Sequence, residues 1–135
     1  MSDFDALFAA ASRARNNAYA PYSRFAVGAA VLSDDGAIHV GCNVENASFP
    51  EGWCAETTAL GAMVSAGGRK VVEVVVLADA ALCTPCGGCR QRLAEFAGPE
   101  VVVHICDTAG LRRTFTMAEL LPAGFVLKEE GTPSS

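Results

Sequence analysis

Two short cysteine segments, Cys54-Ala55-Glu56 and Pro85-Cys86-Gly87-Gly88-Cys89, constrain the fold of this 135-residue chain more than any other feature. Cys86 and Cys89 are three residues apart, so on the first turn of a helix both sulfurs can face one ion. Cys54 can supply a third sulfur if the helices that the two segments open point their N-termini to the same place. Three thiolates leave one of zinc's four tetrahedral positions vacant, which is typical of a catalytic zinc site.

Glu56 follows Cys54 by two residues, which puts its carboxylate near such an ion without making it a ligand. A carboxylate held there can take a proton from water and return it to a ring nitrogen and a leaving amine. A three-cysteine zinc site with a glutamate ahead of a Pro-Cys-x-x-Cys segment matches the signature of zinc deaminases. The two segments therefore predict a hydrolytic metal site with Glu56 as its acid and base.

Hydrophobic periodicity predicts helices that alternate with strands, an α/β pattern. The expected elements are a helix over 4–18, strands over 25–32 and 37–44 joined by an Asp-Gly turn, a helix over 54–66, a strand over 71–78, a helix over 86–96, a strand over 101–106 and a short helix after the capping box of 116–119. This order predicts a mixed sheet that begins with a hairpin and continues with crossover units that add parallel strands. We expect residues 1–135 to form a single domain, with a flexible tail over about 128–135.

Composition narrows the class of partner and the compartment. Hydrophobic residues make up 51% of the chain and charged residues 19%, so intrinsic disorder is excluded and burial between subunits is favoured. A formal charge of -5 disfavours nucleic acid and favours a small neutral ligand. The start of the chain resembles no secretion signal, and no apolar stretch reaches the roughly 20 residues of a membrane span. We therefore expect a cytoplasmic protein with reduced cysteines and no membrane partner.

Five stretches between about Tyr19 and Phe125 resemble, in the correct order, the small homotetrameric cytidine deaminases. They are Pro21-Tyr22-Ser23-Arg24-Phe25-Ala26-Val27-Gly28, Gly41-Cys42-Asn43-Val44-Glu45-Asn46-Ala47-Ser48, Cys54-Ala55-Glu56, Pro85-Cys86-Gly87-Gly88-Cys89-Arg90-Gln91 and Leu120-Leu121-Pro122. The resemblance implies a three-layer α/β/α sandwich with helices on both faces of a mixed sheet. It also implies a homotetramer with one Zn²⁺ per subunit on Cys54, Cys86 and Cys89. The implied reaction is hydrolytic deamination of cytidine and 2'-deoxycytidine to uridine and 2'-deoxyuridine, with release of ammonia, in pyrimidine salvage.

The same resemblance assigns the substrate contacts. It implies that Phe25 packs against the pyrimidine, as an aromatic face suits a flat base. Asn43 and Glu45 would hold the ribose hydroxyls, for which an amide and a carboxylate are chemically suited. The backbone of Ala55, together with the catalytic carboxylate, would read the polar edge of the base. Phe125 would close the pocket of a neighbouring subunit, so that active sites are shared within the tetramer.

Position 57 departs from the family pattern, in which an arginine commonly follows Cys-Ala-Glu and donates hydrogen bonds to the thiolates. Here the residue is Thr57, whose hydroxyl can bond to sulfur but carries no charge. Three thiolates and one Zn²⁺ leave a formal charge of -1, so the source of the neutralising charge stays open. The roles of Cys83, Arg90 and Trp53 also stay open. Phe49 is a second departure, because a tyrosine is usual there.

Two other interpretations remain. A deaminase of the same fold could act on another amino-substituted ring, such as a nucleoside antibiotic or a polynucleotide base, although Asn43-Val44-Glu45-Asn46 favours a free nucleoside. Alternatively, the cysteines could hold zinc for folding alone, or Cys83-x-x-Cys86-x-x-Cys89 could hold a metal cluster. Glu56 argues against a purely structural site, which has no use for a proton shuttle.

Overall fold

The chain folds into a five-stranded mixed sheet with helices on both faces. A computed structural model describes residues 3–80 and 83–127. The helices are α1 (Phe4–Arg15), α2 (Ala55–Ser65), α3 (Gly87–Phe96) and α4 (Met117–Leu120), and the strands are β1 (Val27–Ser33), β2 (Ile38–Cys42), β3 (Val71–Ala78), β4 (Ala97–Asp107) and β5 (Gly110–Thr116). None of these helices, within the described residues, is long and apolar enough to cross a bilayer. The tail expected over 128–135 lies outside the described residues.

The strand order is β2-β1-β3-β4-β5. β1 pairs antiparallel with both β2 and β3, β3 pairs parallel with β4, and β5 pairs antiparallel with β4. The predicted hairpin and the mixed sheet are confirmed. The crossovers through α2 and α3 both add parallel strands, as predicted, but only β3 and β4 are neighbours in the sheet. The connection through α2 passes over β1, so the parallel strands that it joins, β2 and β3, are not neighbours.

Successive side chains along the strands point to opposite faces of the sheet, which divides the core into two layers. Ala29 and Val31 of β1 face the core that contains α2, α3 and α4, whereas Ala30 and Leu32 face the core that contains α1. β3 alternates in the same way, which explains its nearly continuous apolar sequence. With α1 on one face and α2, α3 and α4 on the opposite face, the three-layer α/β/α sandwich is confirmed.

Strand β5 was not predicted, and it corrects the expected element order. Its residues are mostly exposed, so the hydrophobic alternation that marks a half-buried strand is weak. The turn before it is better defined, because the Asp107 carboxylate accepts hydrogen bonds from the backbone N–H groups of Ala109 (2.9 Å) and Gly110 (3.1 Å). That local aspartate turn is the sequence signal that could have located the hairpin.

Helix α2 lies unusually close to β2, and a glycine makes this possible. A β-carbon at Gly41 would lie only 2.4 Å from both the carbonyl oxygen of Ala55 and the backbone nitrogen of Ala59. The Thr58 hydroxyl reinforces the contact by donating to the carbonyl oxygen of Cys42 at 3.0 Å. The first turn of α2 is therefore fixed against the sheet.

Candidate active site

The two cysteine segments lie at the starts of two helices. Cys54 is the N-cap residue of α2 and Cys86 is the N-cap residue of α3, and both have the extended backbone typical of that position. Cys89 lies on the first turn of α3, where its side chain is fully buried. The positive ends of both helix dipoles therefore face the sulfur atoms and favour negative charge there.

The three sulfurs form one cluster. All of them lie within 4.8 Å of one another, and 3.7 Å separates the sulfurs of Cys54 and Cys86. A tetrahedral ion with Zn–S bonds of about 2.3 Å would set its sulfurs about 3.8 Å apart. Among the described residues no His, Asp or Glu joins this cluster. The donor set therefore fits zinc with three protein ligands.

Cys83 lies outside the cluster, half-buried against the main core. The spacing Cys83-x-x-Cys86-x-x-Cys89 therefore does not become a four-sulfur site here. The geometry argues against the cluster-binding interpretation.

Glu56 lies in the first turn of α2 and is only 4% exposed. Burial raises the pKa of its carboxyl group, because a charged carboxylate loses its hydration there. Within the cysteine cluster, a hydrogen bond with Cys89 lowers the pKa of Cys54 and raises that of Cys89. A buried carboxyl next to a cluster of thiols is an arrangement suited to moving protons.

A cavity of about 580 Å³ opens beside the cluster. It is lined by residues that the sequence analysis selected: Phe25, Asn43, Glu45, Cys54, Ala55, Glu56 and Cys86. Phe125 does not line this cavity and is 71% exposed. Within one subunit the structure thus places the other predicted substrate contacts around one cavity, and Phe125 lies outside that cavity.

Asn43 fixes the backbone around Phe25. Its Oδ1 accepts from the Val27 N–H at 2.9 Å, and its Nδ2 donates to the carbonyl oxygen of Phe25 at 2.8 Å. These bonds explain why β1 begins at Val27 and not at the predicted residue 25. They also leave one N–H and one lone pair of the Asn43 amide free of these two contacts.

Glu45 fixes the loop before Phe25. Its Oε1 accepts from the N–H groups of Tyr22 (3.0 Å) and Ser23 (3.1 Å), and its Oε2 accepts from the Ser23 hydroxyl. The Ser23 hydroxyl is the main reason that the pKa of Glu45 lies below its usual value. In the same loop Arg24 adopts a left-handed conformation, with φ of 59°. Glu45 is therefore held as a carboxylate at the mouth of the cavity.

Sequence reasoning left Arg90 and Gln91 unassigned, and the structure gives both a positioning role. Arg90 donates to the carbonyl oxygens of Pro85 (2.8 Å) and Leu120 (2.9 Å), which braces the loop before Cys86 against α4. Gln91 donates to the carbonyl oxygen of Phe125 at 2.9 Å and accepts from its N–H at 3.1 Å. In the sequence, only their position directly after Cys89 indicated that Arg90 and Gln91 could support the site.

Trp53 and Thr57 were also left open. Trp53 pairs through two backbone hydrogen bonds with Val44, which builds one wall of the cavity. The Thr57 hydroxyl lies 3.6 Å from the sulfur of Cys89 and accepts from the Arg92 guanidinium at 3.2 Å. Arg92 was missed because its contact crosses between two helices.

The chain is similar in sequence and in structure to known cytidine deaminases. Residues 1–105 match the family model described as the cytidine and deoxycytidylate deaminase zinc-binding region. A cytidine deaminase from Sporosarcina psychrophila is 43% identical over 124 residues, which is 91% of each chain. One from Halalkalibacterium halodurans is 43% identical over 128 residues, 94% of this chain and 97% of the relative. The crystal structure of cytidine deaminase from Burkholderia pseudomallei superposes with a TM-score of 0.86 at 41% identity, covering 93% of this chain and 100% of that one.

Proposed function

The chain belongs to the cytidine and deoxycytidylate deaminase family, and on that premise we propose how its residues carry out the reaction. The enzyme is a zinc-dependent deaminase that hydrolyses cytidine and 2'-deoxycytidine to uridine and 2'-deoxyuridine and releases ammonia, as pyrimidine salvage requires. The observation that carries the assignment of roles is the buried Glu56 carboxyl beside three clustered cysteines, at the wall of the cavity of about 580 Å³. The catalytic unit is the single domain of residues 1–135.

Cys54, Cys86 and Cys89 hold one Zn²⁺ per subunit. Bound zinc supplies a Lewis acid that makes water nucleophilic at neutral pH. The two helix N-termini support the three sulfurs as thiolates. The fully buried Cys89 anchors the cluster on the core side, while Cys86 lies on the open side of the cavity.

Glu56 moves the protons. Its carboxylate takes one proton from the attacking water as the water oxygen bonds to C4 of the ring, and delivers that proton to N3. It then transfers the second proton to the amino group. The C4–N bond breaks, the C4 carbonyl forms and ammonia leaves, so one water is consumed for each ammonia released. Glu56 is only 4% exposed and lines the cavity, so its carboxylate lies where the ring would bind.

The remaining pocket residues orient the nucleoside. Phe25 offers an aromatic face in the cavity wall, and the backbone of Ala55 reads the polar edge of the base. Asn43 keeps hydrogen-bonding capacity after fixing the Phe25 backbone, and Glu45 keeps a lone pair after fixing its loop. Both can therefore bond the sugar hydroxyls. A free base leaves these groups unpaired, so the nucleoside is preferred.

A homotetramer in the cytoplasm completes the proposal. Large apolar side chains stand exposed on the single chain, including Phe49 at 78%, Phe125 at 71% and Leu127 at 82%. Burial against other copies would remove this apolar surface from water. In the tetramer Phe125 closes the pocket of a neighbour. Six unpaired cysteines suit a reducing compartment. The formal charge of -5 favours a neutral nucleoside over nucleic acid as partner.

The test is an ultraviolet assay of the purified protein with cytidine, 2'-deoxycytidine, cytosine and adenosine, before and after chelation. We expect the two cytosine nucleosides to be deaminated, chelation to abolish turnover and added zinc to restore it. In Glu56→Gln, kcat should fall by about 10²- to 10⁴-fold while zinc and the fold are retained. Glu95→Gln, the same change at an exposed position on α3, is the matched control. Unchanged ammonia release by a folded, zinc-loaded Glu56→Gln variant would show that this carboxylate is not the proton shuttle.

A further inference from the structure

We infer that Arg92 is a positioning residue for the metal site, and that it supplies positive charge to the Cys89 thiolate through the hydroxyl of Thr57. This inference rests on the proposed function, because it concerns the thiolates that hold zinc there. It assigns a role to a residue that the motif of the family leaves unassigned. It also explains how a chain with threonine at position 57 stabilises its excess negative charge.

Three thiolates outweigh one Zn²⁺ by one negative charge, and that excess weakens the ion as an electrophile. The helix N-termini at Cys54 and Cys86 offset part of it. A neutral hydroxyl alone offsets little. A hydroxyl that is itself hydrogen-bonded to a cation is polarised and becomes a stronger donor to sulfur.

Contacts between α2 and α3 place the Arg92 guanidinium beside the Thr57 hydroxyl. The Nη1 atom of Arg92 lies 3.2 Å from Oγ1 of Thr57, and that oxygen lies 3.6 Å from the sulfur of Cys89. Arg92 follows Cys89 by three residues, so its side chain leans back toward the first turn of the same helix. A β-carbon at Gly88 would lie 3.2 Å from the same Nη1 atom, so the guanidinium lies over that turn.

The direction of the hydrogen bonds follows from the chemistry of the three groups. An arginine has no acceptor, so Nη1 must donate to the Thr57 oxygen. The threonine hydroxyl then has one hydrogen left to donate. A thiolate that binds a metal has no hydrogen of its own, so Cys89 can only accept. The contacts therefore form a chain of donors that runs from Arg92 through Thr57 to Cys89.

Arg92 acts outside the substrate cavity. It lines a separate groove between α2 and α3, which also contains Thr57 and does not include Glu56 or Phe25. Loss of its charge should therefore alter the metal site without altering nucleoside contacts. The expected kinetic signature is a lower kcat with an unchanged KM.

A double-mutant cycle with Thr57→Val, Arg92→Met and the double variant tests this chain of hydrogen bonds from Arg92 through Thr57 to Cys89, which we call the relay. The readouts are kcat and KM of the zinc enzymes and the thiolate-to-metal charge-transfer band of the Co²⁺-substituted enzymes. Thr57→Val should lower kcat about tenfold, and Arg92→Met about threefold because the exposed guanidinium acts through the hydroxyl. Both should move the band to longer wavelength, since a sulfur without its donor holds its electrons less tightly. Arg13→Met removes the same charge from α1, on the other face of the sheet, and should change neither readout.

The relay makes one result decisive, because Arg92→Met should have no further effect in the Thr57→Val background. An equal band shift in both backgrounds, or a band and kcat unchanged in Arg92→Met alone, would overturn the inference. Failure of the proposed function looks different: the wild-type protein would then release no ammonia from cytidine, or its Co²⁺ form would show no thiolate band.

Discussion

Position 57 sets how closely a positive charge can approach the sulfur cluster. An arginine there would reach the thiolates directly, but it would also remove the hydroxyl through which Arg92 provides its charge. We predict that Thr57→Arg keeps zinc bound and changes kcat by less than about tenfold, or roughly 1.4 kcal/mol in the barrier. Metal analysis and initial rates with cytidine measure both effects.

A charge-matched substitution at a distant position separates local from global effects of Thr57→Arg. Thr108→Arg adds the same charge at the exposed turn between β4 and β5. It should leave both zinc content and kcat unchanged. Complete loss of metal or activity in Thr57→Arg alone would show that the site cannot accept a direct cation at position 57.

Residue spacing paired Cys86 with Cys89, because ligand spacing on a first helical turn is a local property. Cys54, which is 32 positions before Cys86, was assigned to the same ion through the resemblance to the family. The placement of Glu56 followed from the same segment. The contact between Arg92 and Thr57 could not be predicted, since it depends on how two helices pack and links residues 35 positions apart. Asn43 shows a similar limit, because its backbone contacts depend on the path of the Phe25 loop.

At the scale of elements, the close approach of α2 to β2 determines where the first turn of α2 lies. We predict that Gly41→Ala destabilises the protein by about 1–3 kcal/mol, because the added methyl would overlap backbone atoms that cannot move independently. The displaced turn carries Cys54 and Glu56, so kcat should fall as well. Chemical denaturation and initial rates provide the two measurements.

Gly61 offers a control within the same helix. A β-carbon there would meet no atom within 4 Å, and alanine has the higher helix propensity. Gly61→Ala should therefore keep or raise the free energy of unfolding. If Gly41→Ala proved as stable as Gly61→Ala, the tight contact between α2 and β2 would not be what positions the site.

The sequence predicted the elements with strong periodicity well and the weakly patterned ones poorly. The hairpin, the central strand β3 and the helices that carry the cysteines were expected from turn residues, a valine-rich run and capping positions. Strand β5 was missed because an exposed edge strand lacks a hydrophobic face. The position of β3 beside β1 was also beyond local reasoning, since strand order depends on the path of the chain across the sheet.

For the proposed tetramer, we predict that Phe125→Ala lowers kcat/KM about tenfold, because the aromatic ring that would cover a neighbour's substrate is lost. Steady-state kinetics measure this change, and sedimentation checks that the assembly persists. Phe8→Ala, at a half-buried phenylalanine of α1, controls for the loss of an aromatic ring distant from the pocket.

Mixed oligomers test whether Phe125 acts on a neighbour. Glu56→Gln subunits keep Phe125 but lack the proton shuttle, whereas Phe125→Ala subunits keep the proton shuttle but lack the aromatic ring. Co-assembled, the two should recover more activity than the sum of the separate preparations. A mixture no more active than that sum, or a fully active monomer, would show that each pocket is complete within one chain.

Gln91 connects the sulfur cluster to the exposed Phe125. It lies on α3, whose N-cap is Cys86, and its side-chain amide donates to the carbonyl oxygen of Phe125 and accepts from its N–H. In the proposed tetramer, helix α3 would therefore serve two catalytic centres, its own and that of an adjoining copy. A subunit that has lost its zinc would then impair its neighbour as well. The activity of the tetramer should therefore fall by more than the fraction of subunits without zinc.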